Sequence, residues 1–190
     1  MLSQILKFLL DTVFGFFVFV LLARFYLQLL RAPFRNPLGQ FVTAVSNWLV
    51  LPIRRLVPGM FGLDLASLLL AWLVEALHLF LLYLLAGPGY AGSAGAVAGM
   101  LFSLALLELL RYSLYLLIGV VLIQAVISWI NPYAPLAPLF NALAAPFLRP
   151  FRRLIPPIGN VDLSPLFVLL AAQLLLIPLD YLSRAVTLLF

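Results

Sequence analysis

The polar side chains best suited to chemistry in this sequence lie at helical spacing inside an apolar stretch. Asp64, Ser67, Glu75 and His78 fall within about 80° of one another on an ideal helix, which places them on one stripe. A carboxylate three residues before an imidazole can exchange a proton with it, so Glu75 and His78 are candidates for a proton or ion path. The alternative is a structural pair whose hydrogen bonds hold neighbouring helices together, and we favour it.

A second polar stripe is expected near the C-terminus. Four of its residues fall within about 40° on an ideal helix: Asp162, Gln173, Asp180 and Arg184. Gln173 follows Glu75 by 98 residues, so the two stripes would face each other and form a polar bundle core. A third stripe of Arg24, Gln28 and Arg31 lies near the end of the first apolar segment.

Enzyme chemistry finds little support in the residue types. One histidine and no cysteine cannot build an ordinary metal site, and no phosphate loop or dinucleotide fingerprint is present. Ser67 and Asp64 near His78 do not define a triad without geometry, and no motif supports His78 as a haem ligand. We therefore expect a protein that is not an enzyme and needs no metal or other cofactor.

The composition indicates an integral membrane protein. The chain has 66% hydrophobic and 9% charged residues, with a mean hydropathy of +1.21, whereas soluble domains carry about 25% charged residues. The formal charge of +5 could suggest nucleic acid. Because the arginines lie between apolar segments, the positive-inside rule explains the charge better, and no nucleic-acid partner is expected.

Four membrane spans are predicted, at about 5–30, 64–86, 109–130 and 162–189. The third is placed after Arg111, because Glu108 and Arg111 interrupt the apolar run, and residues 97–107 would then lie at the interface. The predicted fold is therefore an all-α membrane bundle. We expect it to consist of two parallel repeats, 1–95 and 96–190.

Each repeat is expected to carry a short amphipathic helix after its first span. Asn36-Pro37 and Asn131-Pro132 should each end a spanning helix, because proline disfavours α conformation in the preceding residue. The segments that follow are too short to span and have one apolar side. We expect them to lie in the interface plane, and a re-entrant dip into the bilayer is the alternative.

A doubled motif carries the repeat. LPIRRLVPGMFGLDLAS begins at Leu51 and RPFRRLIPPIGNVDLSP begins at Arg149. Three residues of the first recur 98 positions later in the second: Arg55 as Arg153, Pro58 as Pro156, and Asp64 as Asp162.

The motif has a physical interpretation as an anchor and a turn. Pro52 and Pro150 should stop the preceding helix, and the aspartates should cap the next span and can pair with the nearby arginines. Guanidinium groups at headgroup depth bind phosphate, which predicts a lipid- or partner-binding set: Arg54, Arg55, Arg149, Arg152 and Arg153.

The charges also predict an orientation. Eight arginines and two aspartates lie on the motif side of the predicted spans, against three basic and three acidic residues on the other side. The motif side should therefore be cytoplasmic, with both termini outside.

The doubled pattern resembles the YggT family of bacterial and plastid membrane proteins. The residues that carry the resemblance are Arg24, Asn36-Pro37, PIRRLVP with Asp64, SWINP at 128–132, and PFRRLIPPIG with DLSPL. Gln124 departs from the pattern, since a basic residue is expected at that position. The resemblance implies a four-span bundle. Plastid members of the family resemble factors that attach haem to a cytochrome complex or distribute nucleoids. Bacterial members are linked to osmotic tolerance.

We expect a scaffold or assembly factor of the bacterial inner membrane. It would bind anionic lipid headgroups and a membrane or cytoplasmic partner protein, and it could associate with copies of itself. The alternative is a small transporter or channel subunit with a polar path through Glu75, His78 and Gln173.

Overall fold

The computed structural model describes residues 1–55, 57, 63–87, 93–154 and 162–189. These form six α-helices: α1 (Leu2–Leu29), α2 (Pro37–Arg54), α3 (Leu65–Ala86), α4 (Ala94–Ile130), α5 (Ala137–Leu154) and α6 (Ser164–Leu189). Four of them, α1, α3, α4 and α6, are long and apolar enough to cross a membrane. The predicted all-α architecture with four spanning helices is thus confirmed, whereas the parallel repeats stay a prediction.

The long helices pack in a chain of neighbours. α3 packs on α1 and α4, and α6 packs on α4, while α2 lies against α1 and α3 and α5 lies against α4 and α6. Small clusters of aliphatic side chains fill these contacts, such as Val18, Leu21 and Leu22 of α1 against Ala66 and Leu70 of α3. Much of the remaining apolar surface is exposed, as expected for a chain that has lipid as its solvent.

The helix that contains the third predicted span begins 15 residues before it, at Ala94, while the position of the span within the helix stays a prediction. α4 is one continuous helix of 37 residues, so it is about 55 Å long. Its N-terminal part packs on α3, where the indole nitrogen of Trp72 donates to the carbonyl of Phe102 at 3.0 Å. Glu108 and Arg111 do not interrupt the helix, because Arg111 Nη1 binds Glu108 Oε1 at 2.7 Å.

The first Asn-Pro pair begins a helix and does not end one. α1 ends at Leu29 in a Schellman turn, in which Ala32 N donates to Leu27 O at 2.9 Å and Arg31 has the left-handed φ of 51°. Asn36 caps α2 by accepting from Gly39 N at 2.9 Å, and Pro37 follows in the first turn, where its missing N–H costs nothing.

The second pair does end a helix, as predicted, since α4 stops at Asn131 and Pro132 lies beyond it. The prediction that the motif prolines stop their helices was wrong. Pro52 lies inside α2 and Pro150 lies inside α5, and the two helices continue to Arg54 and Leu154.

Helix α2 lies beside the middle of α1. Trp48 packs edge-on against Phe17 with ring centroids 5.9 Å apart, and Phe41 packs against Phe16 at 6.4 Å. Phe17 lies 12 residues before the end of α1, which corresponds to about 18 Å along the helix axis. Trp48 is still 64% exposed, so its indole is available to whatever surrounds the bundle.

We predict that Trp48 lies within the hydrocarbon core. In a variant whose other tryptophans, Trp72 and Trp129, are replaced by phenylalanine, Trp48 fluorescence in liposomes should be quenched more strongly by a nitroxide deep on the acyl chain than by one near the headgroup. A matched variant that keeps only Trp129, at the end of α4, should show the reverse order. Stronger quenching of Trp48 by the shallow probe would place α2 in the interface plane.

Candidate functional site

The first motif is built around the carboxylate of Asp64 at the start of α3. Asp64 caps this helix, with Oδ1 accepting from the Ser67 backbone N–H at 3.3 Å and Oδ2 accepting from the Ser67 hydroxyl at 2.8 Å. The capping role predicted from the sequence is confirmed. Asp64 is only 1% exposed, so its charge needs compensation from the protein.

Two guanidinium groups supply that compensation. Arg24 of α1 places Nε 3.2 Å from Asp64 Oδ2, and Arg54 at the end of α2 places Nη2 2.7 Å from Oδ2 and Nε 3.3 Å from Oδ1. Arg24 is 5% exposed. The carboxylate therefore ties α1, α2 and α3 together at one point.

The two arginines also donate to uncharged side chains. Arg24 Nη1 donates to Ser46 Oγ at 2.7 Å and to Asn47 Oδ1 at 2.8 Å, while Arg54 Nη2 donates to Gln28 Oε1 at 3.1 Å. The stripe of Arg24 and Gln28 predicted from the sequence belongs to this cluster. Ser46 and Asn47 were missed, because the amphipathic pattern of α2 assigned its polar side to water.

The same contacts favour the ionised carboxylate. Burial alone raises the pKa of the Asp64 carboxyl, but the hydrogen bonds from Arg54 and Ser67 outweigh burial and hold the pKa below its ordinary value. Asp64 is therefore an anion at neutral pH, matched by two cations.

The second motif repeats one half of this arrangement. Arg152 Nε lies 2.7 Å from Asp162 Oδ2, and Asp162 Oδ1 accepts from the Ser164 N–H at 2.9 Å. Burial raises the pKa of Asp162, but these two partners outweigh it, so the pKa is below its ordinary value. The Asp162 side chain is 29% exposed against 1% for Asp64, so this pair is much wetter than the first.

Gln124 is a buried polar residue of α4, at a position where the family resemblance implies a basic residue. Its Nε2 donates to Asn141 Oδ1 at 3.3 Å, and its Oε1 has no hydrogen-bond partner within the described residues. Among the described residues, Asp162 has Arg152 as its one cationic partner, whereas Asp64 has two.

The second arginine of each pair points to a different role. Arg55 and Arg153 are exposed, as is Arg149, and none of them has an ion pair or a side-chain hydrogen bond to another described residue. The first arginine of each pair thus binds an aspartate, and the second has no side-chain partner among the described residues. Pro58 and Pro156 of the predicted motif lie outside the described residues.

A separate polar chain crosses α1 and α3 towards their other ends. His78 Nδ1 lies 3.3 Å from Glu75 Oε1, and His78 Nε2 lies 3.1 Å from Asp11 Oδ1. The ring of Phe14 stacks on the imidazole at 5.3 Å. Glu75 is 1% exposed and its Oε2 has no hydrogen-bond partner among the described side chains and backbone. Sequence reasoning found the Glu75–His78 pair but not its contact with Asp11.

The predicted stripe on α6 does not form a polar core. Gln173 is exposed on α6, while α3 with Glu75 packs on α1 and α4. Asp180 pairs with Arg111 of α4 at 2.7 Å and not with Arg184. The prediction that Gln173 faces Glu75 across a polar bundle core was therefore wrong for the single chain. In the described residues, no group of three or more His, Asp or Glu side chains could hold a metal ion.

Comparison with known proteins gives a consistent family assignment and no activity. The CCB3/YggT family profile matches residues 3–85 and 103–182. An uncharacterized protein of Pseudomonas aeruginosa is 38% identical over 88% of this chain and 84% of its own length. The uncharacterized protein YggT of Escherichia coli K12 is 34% identical over 87% of this chain and 84% of its own length. No solved structure matches.

We predict that the two aspartates differ in their contribution to stability. Asp64→Asn leaves two guanidinium groups without their anion, one of them buried, and should lower the free energy of unfolding by about 3 kcal/mol. Asp162→Asn should cost about 1 kcal/mol or less, because that ion pair is partly exposed. Denaturant titration in detergent, followed by circular dichroism, measures both, and equal losses would contradict the asymmetry.

A pH dependence follows from the lowered pKa of Asp64. Because the folded-state pKa is below the unfolded value, the ionised group stabilises the fold above the unfolded pKa, and this contribution is lost as the pH falls through the folded pKa. Thermal stability should therefore decline below about pH 4, the ordinary range of an aspartate. Asp64→Asn should flatten this decline more than Asp162→Asn does, and identical profiles would contradict the prediction.

Proposed function

The chain belongs to the CCB3/YggT family, and from the geometry of its arginines we propose that it is a non-enzymatic scaffold of the bacterial inner membrane. It would gather anionic lipid headgroups and an acidic partner protein at its motif side. Such a protein organises or assembles other components without changing them chemically. A role in osmotic tolerance would be one outcome of this activity.

The proposal rests on the different contacts of the two arginines in each pair. Arg54 and Arg152 are each bound to an aspartate ten residues later, which anchors the start of the following spanning helix. Arg55 and Arg153 are held beside these anchors but remain exposed. A guanidinium fixed at a helix end and unpaired within the described chain is suited to bind phosphate or carboxylate from outside.

The proposed orientation places this surface in the cytoplasm. The positive-inside rule assigns the arginine-rich side to the cytoplasmic leaflet, where anionic lipids attract basic residues by about 1 kcal/mol each. Both termini would then be outside. The contacts of Trp48 and Phe41 with the middle of α1 support a re-entrant α2, which would hold the Asp64 cluster close to the headgroup layer.

A second candidate function, a transporter or channel subunit, is favoured by one observation. The Glu75–His78–Asp11 chain connects a buried carboxylate, whose Oε2 lacks a partner among the described residues, to an aspartate that is 46% exposed. An ionisable chain of this kind inside a span can relay protons. The exposure of Gln173 removes the third member of the path considered from the sequence.

We predict that Arg55→Gln combined with Arg153→Gln separates binding from folding. The melting temperature in detergent should stay close to that of the unmodified protein, because neither side chain has a partner in the described structure. Recovery of co-purifying partner protein and of phosphatidylglycerol, measured by quantitative mass spectrometry after gentle extraction, should fall.

The matched control is Arg54→Gln, which removes an anchoring arginine and should lower the melting temperature. Unchanged recovery of both partner and lipid from the Arg55/Arg153 variant would remove the basis of the scaffold proposal. So would an equal loss of stability in the two variants.

The transport candidate makes a different prediction. Purified protein in liposomes with an imposed pH gradient should dissipate that gradient, and Glu75→Gln should abolish the flux, because an amide cannot carry the proton. Ser103→Ala, on α4 and outside the His78 chain, is a control that should leave the flux unchanged. No flux from the unmodified protein would end this candidate.

A further inference from the structure

An apolar groove of about 370 Å³ opens between α1, α4 and α5. Its walls are residues 19–30 of α1 and 113–123 of α4, and its base is formed by residues 139–147 of α5, including Leu139, Phe140 and Leu143. The volume is within the range of small-molecule sites, which begins at about 300 Å³. Nearly all of the lining side chains are aliphatic or aromatic, so the groove suits a hydrocarbon.

The length of the groove matches one leaflet of a bilayer. From Phe19 to Leu30 the α1 wall covers 12 residues, the last of them the C-cap of α1. They rise by about 16 Å along the helix axis, close to half of a hydrocarbon core about 30 Å thick. The groove also ends where α1 ends, at the motif side. A single acyl chain of that leaflet would therefore run along it from the headgroup layer to the bilayer centre.

Two arginines are close in sequence to residues that line the groove near the end of α1. Arg31 directly follows Leu30 and Arg35 lies three residues before Leu38, and both leucines line the groove. Both arginines are exposed and have no ion pair or side-chain hydrogen bond to another residue of the described chain. This charge is complementary to a phosphate group and not to a second copy of the same basic surface.

We propose that the groove is a phospholipid site. One acyl chain of an anionic phospholipid lies between α1 and α4 on the base formed by α5, and its phosphate lies at Arg31 and Arg35. The inference rests on the proposed function for the choice of an anionic headgroup, and it adds the place where the acyl chain is held.

Gly119 provides a sharp test. It lines the groove on α4, and a Cβ built on it would meet no protein atom within 4 Å. Gly119→Phe therefore fills the groove without a clash at its Cβ. Gly95 lies on the same helix, outside the groove, and also has open space around an added Cβ. Gly95→Phe is thus a control that adds the same side chain to the same helix away from the groove.

The experiment uses the purified full-length protein in detergent after removal of bound lipid. Phosphatidylglycerol with a photoreactive diazirine at the end of one acyl chain is added, irradiated, and its attachment sites are mapped by mass spectrometry. We expect saturable labelling on residues 19–30, 113–123 and 139–147, competed better by unlabelled phosphatidylglycerol than by phosphatidylcholine. Gly119→Phe should raise the lipid concentration for half-maximal labelling by at least about tenfold, the effect of displacing two methylene groups, and Gly95→Phe should not.

Labelling spread evenly over all long helices would overturn the proposal. So would an unchanged concentration dependence of labelling in Gly119→Phe, or equal competition by the two lipids. Protection of these helices by dimerisation would also overturn it, by assigning the groove to a second copy. Because Gly119 lies far in sequence from Arg55 and Arg153, failure of the scaffold test leaves the comparison of Gly119→Phe with Gly95→Phe unaffected, and the two failures are distinguishable.

Discussion

The buried carboxylate of Asp64 is the interaction on which the first half of the structure depends. It is held by Arg24 from α1 and Arg54 from α2 while it caps α3, so one charged group determines where three helices meet. Because Asp64 is buried, its charge is compensated by these side chains and not by solvent. Ser46, Asn47 and Gln28 each accept a hydrogen bond from one of these arginines.

The two motifs show how one sequence pattern can serve two environments. Arg54–Asp64 and Arg152–Asp162 have the same ten-residue separation and the same 2.7 Å contact. The first is buried and has a second guanidinium, that of Arg24, whereas the second is partly exposed and has Arg152 as its one cation among the described residues. The tightly bound half is suited to anchoring, and the open half to exchange with ligands from outside.

Much of the fold could be predicted from the sequence, because apolar length and capping residues are local signals. The four spanning helices, the cap at Asp64 and the pairing of motif arginines with aspartates all depend on residues close in the chain. The contacts that were missed join distant segments: Asp11 with His78, and Ser46 with Arg24. Helical spacing tells which side chains share a face, but not which helix that face meets, so Gln173 was placed in a core it does not enter.

The polar face of α2 makes contacts that its amphipathic pattern alone does not indicate. Beside a bilayer the apolar face of a helix can be the outer one, which leaves the polar face free to meet another helix. Phe41 and Trp48 are exposed, while Ser46 is fully buried against Arg24. Glu108 and Arg111 lie within the continuous helix α4. Because their two charges pair with each other, they do not oppose helix formation.

The order of residues in the Asp64 cluster has a consequence for biosynthesis. Arg24 is translated 40 residues before Asp64, so α1 leaves the ribosome with a basic side chain whose counter-ion does not yet exist. A lone arginine disfavours release of a helix into lipid. We expect α1 to remain beside the insertion machinery until α3 arrives, and the two helices to enter the bilayer as a neutralised pair.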